Sequence, residues 1–359
     1  MKYSVSVSKV TKSNLSKADY SNLGFGKVFT DHMFIADYYD GKWQDLRIVP
    51  FGHIEMHPAM SSIHYGQSIF EGIKARKDNE GNIIAFRPDM NAKRLNVSAT
   101  RMAMPTVPED LFMQAVDMML QIDEAWIPTD EGKSMYIRPF MFATDEVIGM
   151  KRSANYRFMV FLSPVASYYN APIKVYASSQ YVRAFPGGTG FAKTSGNYAR
   201  TIAPAEEIHE KGFGQILWLD GIEKKYLQEI GTMNIFVVIN GKVLTPSLNE
   251  GTILPGVTRD SVLHLLKEWN IPTEERRVSI DEIIEAHNNG TLEDAFGAGT
   301  AATISPIKAI GYKDLEMILP AFENRTISNR LQEELTGIKD GKIEDIHNWI
   351  HKVVIEKVV

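Results

Sequence analysis

The sequence predicts a mixed α/β protein of the α+β class, built as two domains. Three observations carry that expectation. At 359 residues the chain exceeds what a single hydrophobic core usually organises. Its first half is rich in short strand-like runs, and its second half alternates such runs with amphipathic helical ones. Hydrophobic residues make up 44% and charged residues 23%, the balance of a globular chain.

In order, Ser68–Ala75, Asn82–Arg87, Ser134–Phe142 and Arg157–Val165 read as strands. Two helices interrupt them, Asn91–Met104 and Glu109–Ile127. The second follows the turn at Pro105 and Pro108 and repeats Leu111, Ala115, Met118, Met119 and Ile122 on one face. The segment 166–172 is the expected interdomain loop, between domains 1–165 (smaller) and 173–359 (larger). Beyond it come a strand at Ile173–Ser178, a helix near Tyr198–Lys211, and strands at Gln215–Asp220, Lys225–Glu229 and Asn234–Asn240. Asp260–Trp269 is amphipathic, with Val262, Leu265, Leu266 and Trp269 at helical spacing. A helix at Ser279–His287, a strand at Ala295–Phe296 and a helix at Ile327–Thr336 complete the reading.

Composition removes several function classes. There are no cysteines, which excludes disulfides, thiolate metal sites and cysteine nucleophiles. The formal charge of −5 argues against a general nucleic-acid binder. The first eight residues alternate polar and apolar types, and no run approaches the ~18 apolar residues of a membrane span. The expectation is a cytoplasmic protein with no membrane or nucleic-acid partner. No metal site is expected: His347 and His351 lie four apart but have no third ligand pattern nearby, and neither H-E-x-x-H nor G-x-S-x-G occurs.

Lys193 stands out among the basic residues. Four glycines (187, 188, 190 and 196) lie within six residues of it, and its other neighbours are small or apolar. Glycine lets backbone approach a ligand closely. An ammonium deprived of water favours its neutral form, and a neutral amine condenses with an aldehyde. The same segment is a near-miss for a phosphate-binding P-loop, because the second glycine of G-x-x-x-x-G-K-[ST] falls on Ala192. Glu229 precedes a glycine turn and the apolar run Ile235–Val238, where a carboxylate could face a heterocyclic nitrogen. Leu254-Pro255-Gly256-Val257-Thr258 leads into an amphipathic helix, whose N-terminus favours a phosphate and equally suits an ordinary cap. Phe296–Ala302 offers small residues and a hydroxyl, and lacks the third glycine of a dinucleotide fingerprint.

Taken together, these segments resemble pyridoxal-phosphate (PLP) enzymes of fold type IV, in the two-domain architecture of D-amino-acid aminotransferase, and most closely the branched-chain amino-acid aminotransferases. The resemblance covers nearly the whole chain. It runs through Phe25–Met33, His64–Ala75 (with Tyr65-Gly66 and Phe70-Glu71-Gly72), Phe86-Arg87-Pro88, Tyr136-Ile137-Arg138-Pro139, the Lys193 segment, Glu229–Asn234, Leu254–Arg259 and Gly297–Ala302.

The resemblance implies roles by position. Lys193 matches the Schiff-base lysine that also shuttles the proton. Tyr198 matches the partner of the cofactor's phenolic oxygen, and Glu229 the partner of its ring nitrogen. Arg94, Thr300 and the N–H groups of Val257 and Thr258 match the phosphate contacts. Thr232 and the Ala301 N–H match the substrate carboxylate side. Phe25, Tyr65, Phe70, Tyr136, Ile148 and Met150 match the apolar pocket, some reaching in from a second subunit of a homodimer, and Arg138 matches the acceptor of glutamate's distal carboxylate. The implied reaction is reversible amino transfer from L-Leu, L-Ile or L-Val to 2-oxoglutarate. D-amino-acid aminotransferase and aminodeoxychorismate lyase share the lysine but are shorter and lack most of the N-terminal motifs. A nucleotide-binding module is the alternative outside the fold. Mammalian members carry C-x-x-C where this chain reads Ala302-Thr303-Ile304-Ser305, so thiol regulation is impossible at that site.

Overall fold

The computed structural model describes residues 3–166 and 171–353. The chain divides into two compact units: Met1–Tyr168 with Ala192–Ser195 and Gly337–Val359, and Tyr169–Phe191 with Gly196–Thr336. The sequence-based boundaries, 1–165 and 173–359, cut across two excursions of chain into the first unit. Backbone pairing accounts for both. Thr194 bridges Ile69, and the C-terminal strand Ile350–Lys352 pairs antiparallel with Ile83–Phe86. Residues 167–170 of the expected interdomain loop lie outside the described residues.

The first unit is organised by one sheet. Its strands are β1 (Ser6–Val7), β2 (His32–Tyr39), β3 (Lys42–Pro50), β4 (Ser68–Phe70), β5 (Ile73–Lys77), β6 (Ile83–Phe86), β7 (Ser134–Ala143) and β8 (Tyr156–Val165). The order is β1-β3-β2-β8-β7-β5-β6, then the C-terminal strand, with β4 also on β7. Helices α1 (Ser61–Tyr65), α2 (Pro88–Arg101) and α3 (Glu109–Ile122) accompany it. Side chains alternate across the pleat. Met135, Ile137, Met141 and Ala143 of β7 enter the main core with Leu95 of α2 and Leu111, Phe112 and Met119 of α3. The intervening residues, Tyr136, Arg138, Phe140 and Phe142, therefore occupy the opposite face.

The expected single strand Ser68–Ala75 divides into β4 and β5. Phe70 lies opposite Phe140 and Ile73 opposite Ile137, so no residue is inserted between them. The cause is Pro139 on the central strand. It has no N–H for the ladder, although its carbonyl still accepts from Glu71 N–H at 2.7 Å.

The second unit holds β9 (Ile173–Ser178), β10 (Gln215–Leu219), β11 (Leu227–Ile230), β12 (Met233–Ile239), β13 (Lys242–Thr245), β14 (Thr273–Glu275), β15 (Leu292–Gly299), β16 (Thr303–Tyr312) and β17 (Leu315–Ile318). The order is β11-β10-β9-β16-β15-β12-β13-β14, and β11 also pairs with β12, which closes six of these strands into a ring. Val175, Leu217, Ile235, Val237, Ala295 and Ile307 contribute to its core. Five further helices follow: α4 (Ser195–Ala199), α5 (Ile202–Glu210), α6 (Val257–Glu268), α7 (Ile280–Asn288) and α8 (Thr326–Lys339). The expected helix Tyr198–Lys211 appears as α4 and α5. Pro204 cannot donate to the carbonyl four residues back, so the helix restarts just before it. Strands β1, β2, β3, β13, β14, β16, β17 and the C-terminal strand were absent from the sequence reading.

Candidate active site

In the first unit the groups around Lys193 are held from two sides. Its backbone N–H donates to Ser98 Oγ at 2.9 Å, and its carbonyl accepts from Phe70 N–H at 3.0 Å. Thr194 Oγ1 donates to Ser68 O at 2.8 Å, and the Ser68 and Ser195 hydroxyls are in contact. The lysine is thus fixed through its backbone, and its side chain rises beside the sheet. Lys193 Nζ lies 4.7 Å from the centre of the Phe70 ring.

The second face of the sheet continues from there. The Arg138 guanidinium stands 4.7 Å over the same Phe70 ring. Its Nη2 donates to Tyr136 Oη at 2.9 Å. Tyr136 in turn meets Phe25 edge to face, with ring centres 4.9 Å apart. Gly72 makes this arrangement possible, because a Cβ there would fall 2.2 Å from Tyr136 Oη. Four residues expected in the substrate pocket, Phe25, Phe70, Tyr136 and Arg138, therefore form one continuous wall beside Lys193.

Arg94 projects from α2, whose buried side has two halves. Ala92, Leu95 and Ala99 enter the apolar core, while Asn91, Arg94 and Ser98 are buried polar residues at helical spacing. Arg94 Nε and Nη2 donate to the two carboxylate oxygens of Glu71 at 2.8 and 2.7 Å, and Asn91 Nδ2 adds a third bond to Glu71 at 2.7 Å.

In the second unit Tyr198, Glu229 and Thr232 line one cavity, with Arg183, Asn197 and Asn234. Glu229 lies on β11, is only 4% exposed, and faces Asn234 across the Gly231-Thr232 turn. Its Oε1 accepts from Leu254 N–H at 2.5 Å, and Arg183 Nε lies 3.2 Å from its Oε2. Asn234 Nδ2 donates to Leu254 O at 2.9 Å. These two bonds to Leu254 seat the start of α6, where Gly256 precedes Val257 and Thr258. A Cβ on Gly256 would lie 2.1 Å from Asn234 Oδ1. The β15–β16 turn, with Thr300 and Ala301, is at the same end of the strands, since Asn234 pairs with Ala298.

A family model for class IV amino-transferases matches residues 68–310. Over 346 residues the chain is 47% identical to a probable branched-chain-amino-acid aminotransferase of Staphylococcus aureus, covering 95% of this chain and 96% of that one. It is 45% identical over 349 residues to branched-chain-amino-acid aminotransferase 2 of Bacillus subtilis, covering 96% of each. The chain belongs to the class IV aminotransferases, in the branched-chain amino-acid group. It is a transaminase, and class IV aminotransferases use PLP. Solved structures agree in fold. The branched-chain aminotransferase of Escherichia coli superposes with a TM-score of 0.71 at 26% identity, over 90% of this chain and 99% of that one. The Thermobaculum terrenum enzyme, solved in its PLP form, gives 0.70 at 23%, over 90% and 98%.

The donor set of this class IV aminotransferase fits PLP. In the first unit an amine suits an aldehyde and an arginine suits a phosphate; in the second a buried carboxylate contacted by a cation suits a ring nitrogen and a helix N-terminus suits a phosphate. The alternative P-loop reading does not fit. Among the described residues no strand leads into Gly187–Thr194, and the Lys193 N–H donates to Ser98 instead of lying open to a phosphate.

Tyr65, Ile148 and Met150 stand apart from the wall and are exposed, Ile148 at 68% and Met150 at 90%. Sequence reasoning missed Glu71, Asn91, Ser98 and Arg183. The signal for Glu71 was visible: an acid among Ile69, Phe70 and Ile73 on a buried strand needs a partner. Of the two spaced histidines, His351 Nε2 lies 2.7 Å from Asp117 and His347 stacks on Trp349.

Proposed function

We propose that the chain catalyses reversible transfer of the amino group of L-Leu, L-Ile or L-Val to 2-oxoglutarate, giving L-Glu and the branched-chain 2-oxo acids, with PLP as cofactor. The observation that carries the reading is the wall Phe25-Tyr136-Arg138-Phe70 ending at the Lys193 amine. An aliphatic side chain packs on its rings, and Arg138 offers a cation to the second carboxylate of glutamate. One methylene in such a pocket is worth only about 1–3 kcal/mol, so the three branched-chain substrates are separated weakly.

When bound, PLP supplies an electron-poor heterocycle that takes up the charge developing at the substrate α-carbon. Lys193 would hold the cofactor covalently. As a free amine, its Nζ would take up the α-proton and return it as a general acid. Glu229, contacted by Arg183 and the Leu254 N–H, would face the ring nitrogen and hold its proton. Tyr198 would donate to the phenolic oxygen. By the family resemblance, Arg94, Thr300 and the Val257 and Thr258 N–H groups would hold the phosphate, while Thr232 and the Ala301 N–H would orient the substrate carboxylate.

The working form is a homodimer in the cytoplasm, acting on small molecules and without nucleic-acid or membrane partners. The exposed apolar side chains of Tyr65, Ile148 and Met150 support it, as surface a second subunit would cover and bring toward its substrate pocket. Among the described residues no helix is long and apolar enough to cross a membrane.

An absorption spectrum of the purified protein with L-leucine tests this function. A cofactor band that shifts on adding L-leucine and recovers with 2-oxoglutarate supports it. A band that responds to D-alanine or aminodeoxychorismate but not to L-leucine contradicts it.

A further inference from the structure

We infer that Glu71 is the positioning residue for the phosphate arginine, fixing which edge of the Arg94 guanidinium is presented to the cofactor. This rests on the reading of Arg94 as a phosphate contact. Glu71 is completely buried and Arg94 is 8% exposed. The carboxylate engages one edge of the guanidinium side-on, Oε1 to Nε and Oε2 to Nη2. A guanidinium is planar and rigid, so fixing the Nε–Nη2 edge also fixes the direction of the opposite, end-on edge. That end-on edge is the one suited to a second, bidentate oxyanion such as a phosphate.

The carboxylate is itself immobilised. Glu71 N–H donates to Pro139 O at 2.7 Å, and Asn91 Nδ2 donates to Glu71 Oε2 at 2.7 Å. Asn91, Arg94 and Ser98 share one face of α2, and Ser98 Oγ bonds both Arg94 O and the Lys193 N–H. The same helix face thus orients the phosphate arginine and registers the backbone of the cofactor lysine. Glu71 provides its anchor on the sheet.

A carboxylate that only neutralised a buried cation would tolerate a shorter acid. One that sets an orientation would not, since aspartate from the same backbone position falls about 1.5 Å short. Glu71→Gln leaves Arg94 buried without its counter-charge and puts the fold at risk. Glu71→Asp keeps the charge and is therefore the informative variant.

The experiment is equilibrium dialysis of the full chain, as wild type, Glu71→Asp, Arg94→Ala and the double variant, against PLP and against pyridoxal, which lacks the phosphate. The readout is the ratio of the two affinities, and circular dichroism verifies folding. Glu71→Asp should lower the PLP preference by about tenfold or more, the leverage typical of residues that orient a ligand-holding group, with pyridoxal affinity nearly unchanged. Arg94→Ala should lower it further, and the double variant should match Arg94→Ala alone. A wild-type ratio in folded Glu71→Asp, beside a collapsed ratio in Arg94→Ala, overturns the role of Glu71 and leaves Arg94 on the phosphate. A wild-type ratio in Arg94→Ala overturns the phosphate reading itself, and this inference with it.

Discussion

Each unit buries one carboxylate–guanidinium pair among the residues of the proposed chemistry, and the two pairs are built in opposite senses. In the first unit both oxygens of Glu71 are engaged by Arg94, and Asn91 adds a third bond. In the proposed chemistry the acid is the support and the arginine is the working group. In the second unit Arg183 contacts Glu229 through Nε, while its Nη2 donates to the backbone carbonyls of Gly190 and Thr252. There the arginine is tied to the scaffold and, in the proposed chemistry, the acid is the working group. A third pair shows what a purely structural version looks like. Arg325 of the second unit bonds Asp294 and four backbone carbonyl contacts, and lines none of the cavity that contains Glu229. Burial alone therefore does not mark function.

The largest effect sets the scale for the comparison. Lys193→Ala should lower transamination by more than about 10⁴-fold, because covalent attachment and proton transfer are lost together. Steady-state assay with L-leucine and 2-oxoglutarate checks this, and a residual rate within tenfold of wild type would remove Lys193 from the chemistry. Breaking the structural pair comes next. Asp294→Asn strands a buried arginine and should cost ~3–5 kcal/mol in denaturant unfolding, with kcat per folded molecule unchanged. A loss of kcat at full stability would mean that this pair is not merely structural.

Glu229→Gln should lower kcat by about 10²-fold or more, as for loss of a preorganised electrostatic partner. Its PLP preference over pyridoxal should stay near wild type, opposite to Arg94→Ala. If both variants shift the same quantity, the distinction between the two working groups fails. Gly72→Ala places a methyl against the Tyr136 hydroxyl and should destabilise by ~1–3 kcal/mol, with part of the loss recovered by adding Tyr136→Phe. Thermal unfolding of the single and double variants measures the recovery, and equal losses in both would show that the contact is not the cause.

The last test of the comparison is in pH dependence. In the first unit, burial lowers Lys74 to about 8, and burial with the nearby Lys74 and Arg76 charges lowers Lys339 to about 7. The unfolded chain binds these protons more tightly than the folded one. Stability attributable to the two lysines should therefore rise as pH increases from about 7 toward the ordinary lysine range. Lys339→Met should flatten that rise in melts taken across pH 7–10; an unchanged slope would rule Lys339 out.

Much of this was legible in the sequence, for identifiable reasons. Lys193 and Glu229 stood out because each is a charged residue beside glycines and apolar runs, whereas Arg138 was visible only through the family resemblance. Strand Ile173–Ser178 was read with the bounds it has in the structure, since it is short and bounded by loop residues. The division of Ser68–Ala75 was hidden because its cause, Pro139, is on another strand. Ser98 and Arg183 were hidden for a related reason: their partners, Lys193 N–H and Glu229, are distant in sequence. The excursion of Ala192–Ser195 into the first unit followed from one backbone bridge to Ile69, which no local pattern announces.

The central claim is that a single side chain, Lys193, carries the cofactor. Borohydride reduction of the PLP-loaded protein followed by peptide mapping tests it directly. The account predicts one pyridoxyl label, on the peptide containing Phe191-Ala192-Lys193-Thr194. A label on a different lysine, or none on a fully loaded sample, would contradict it.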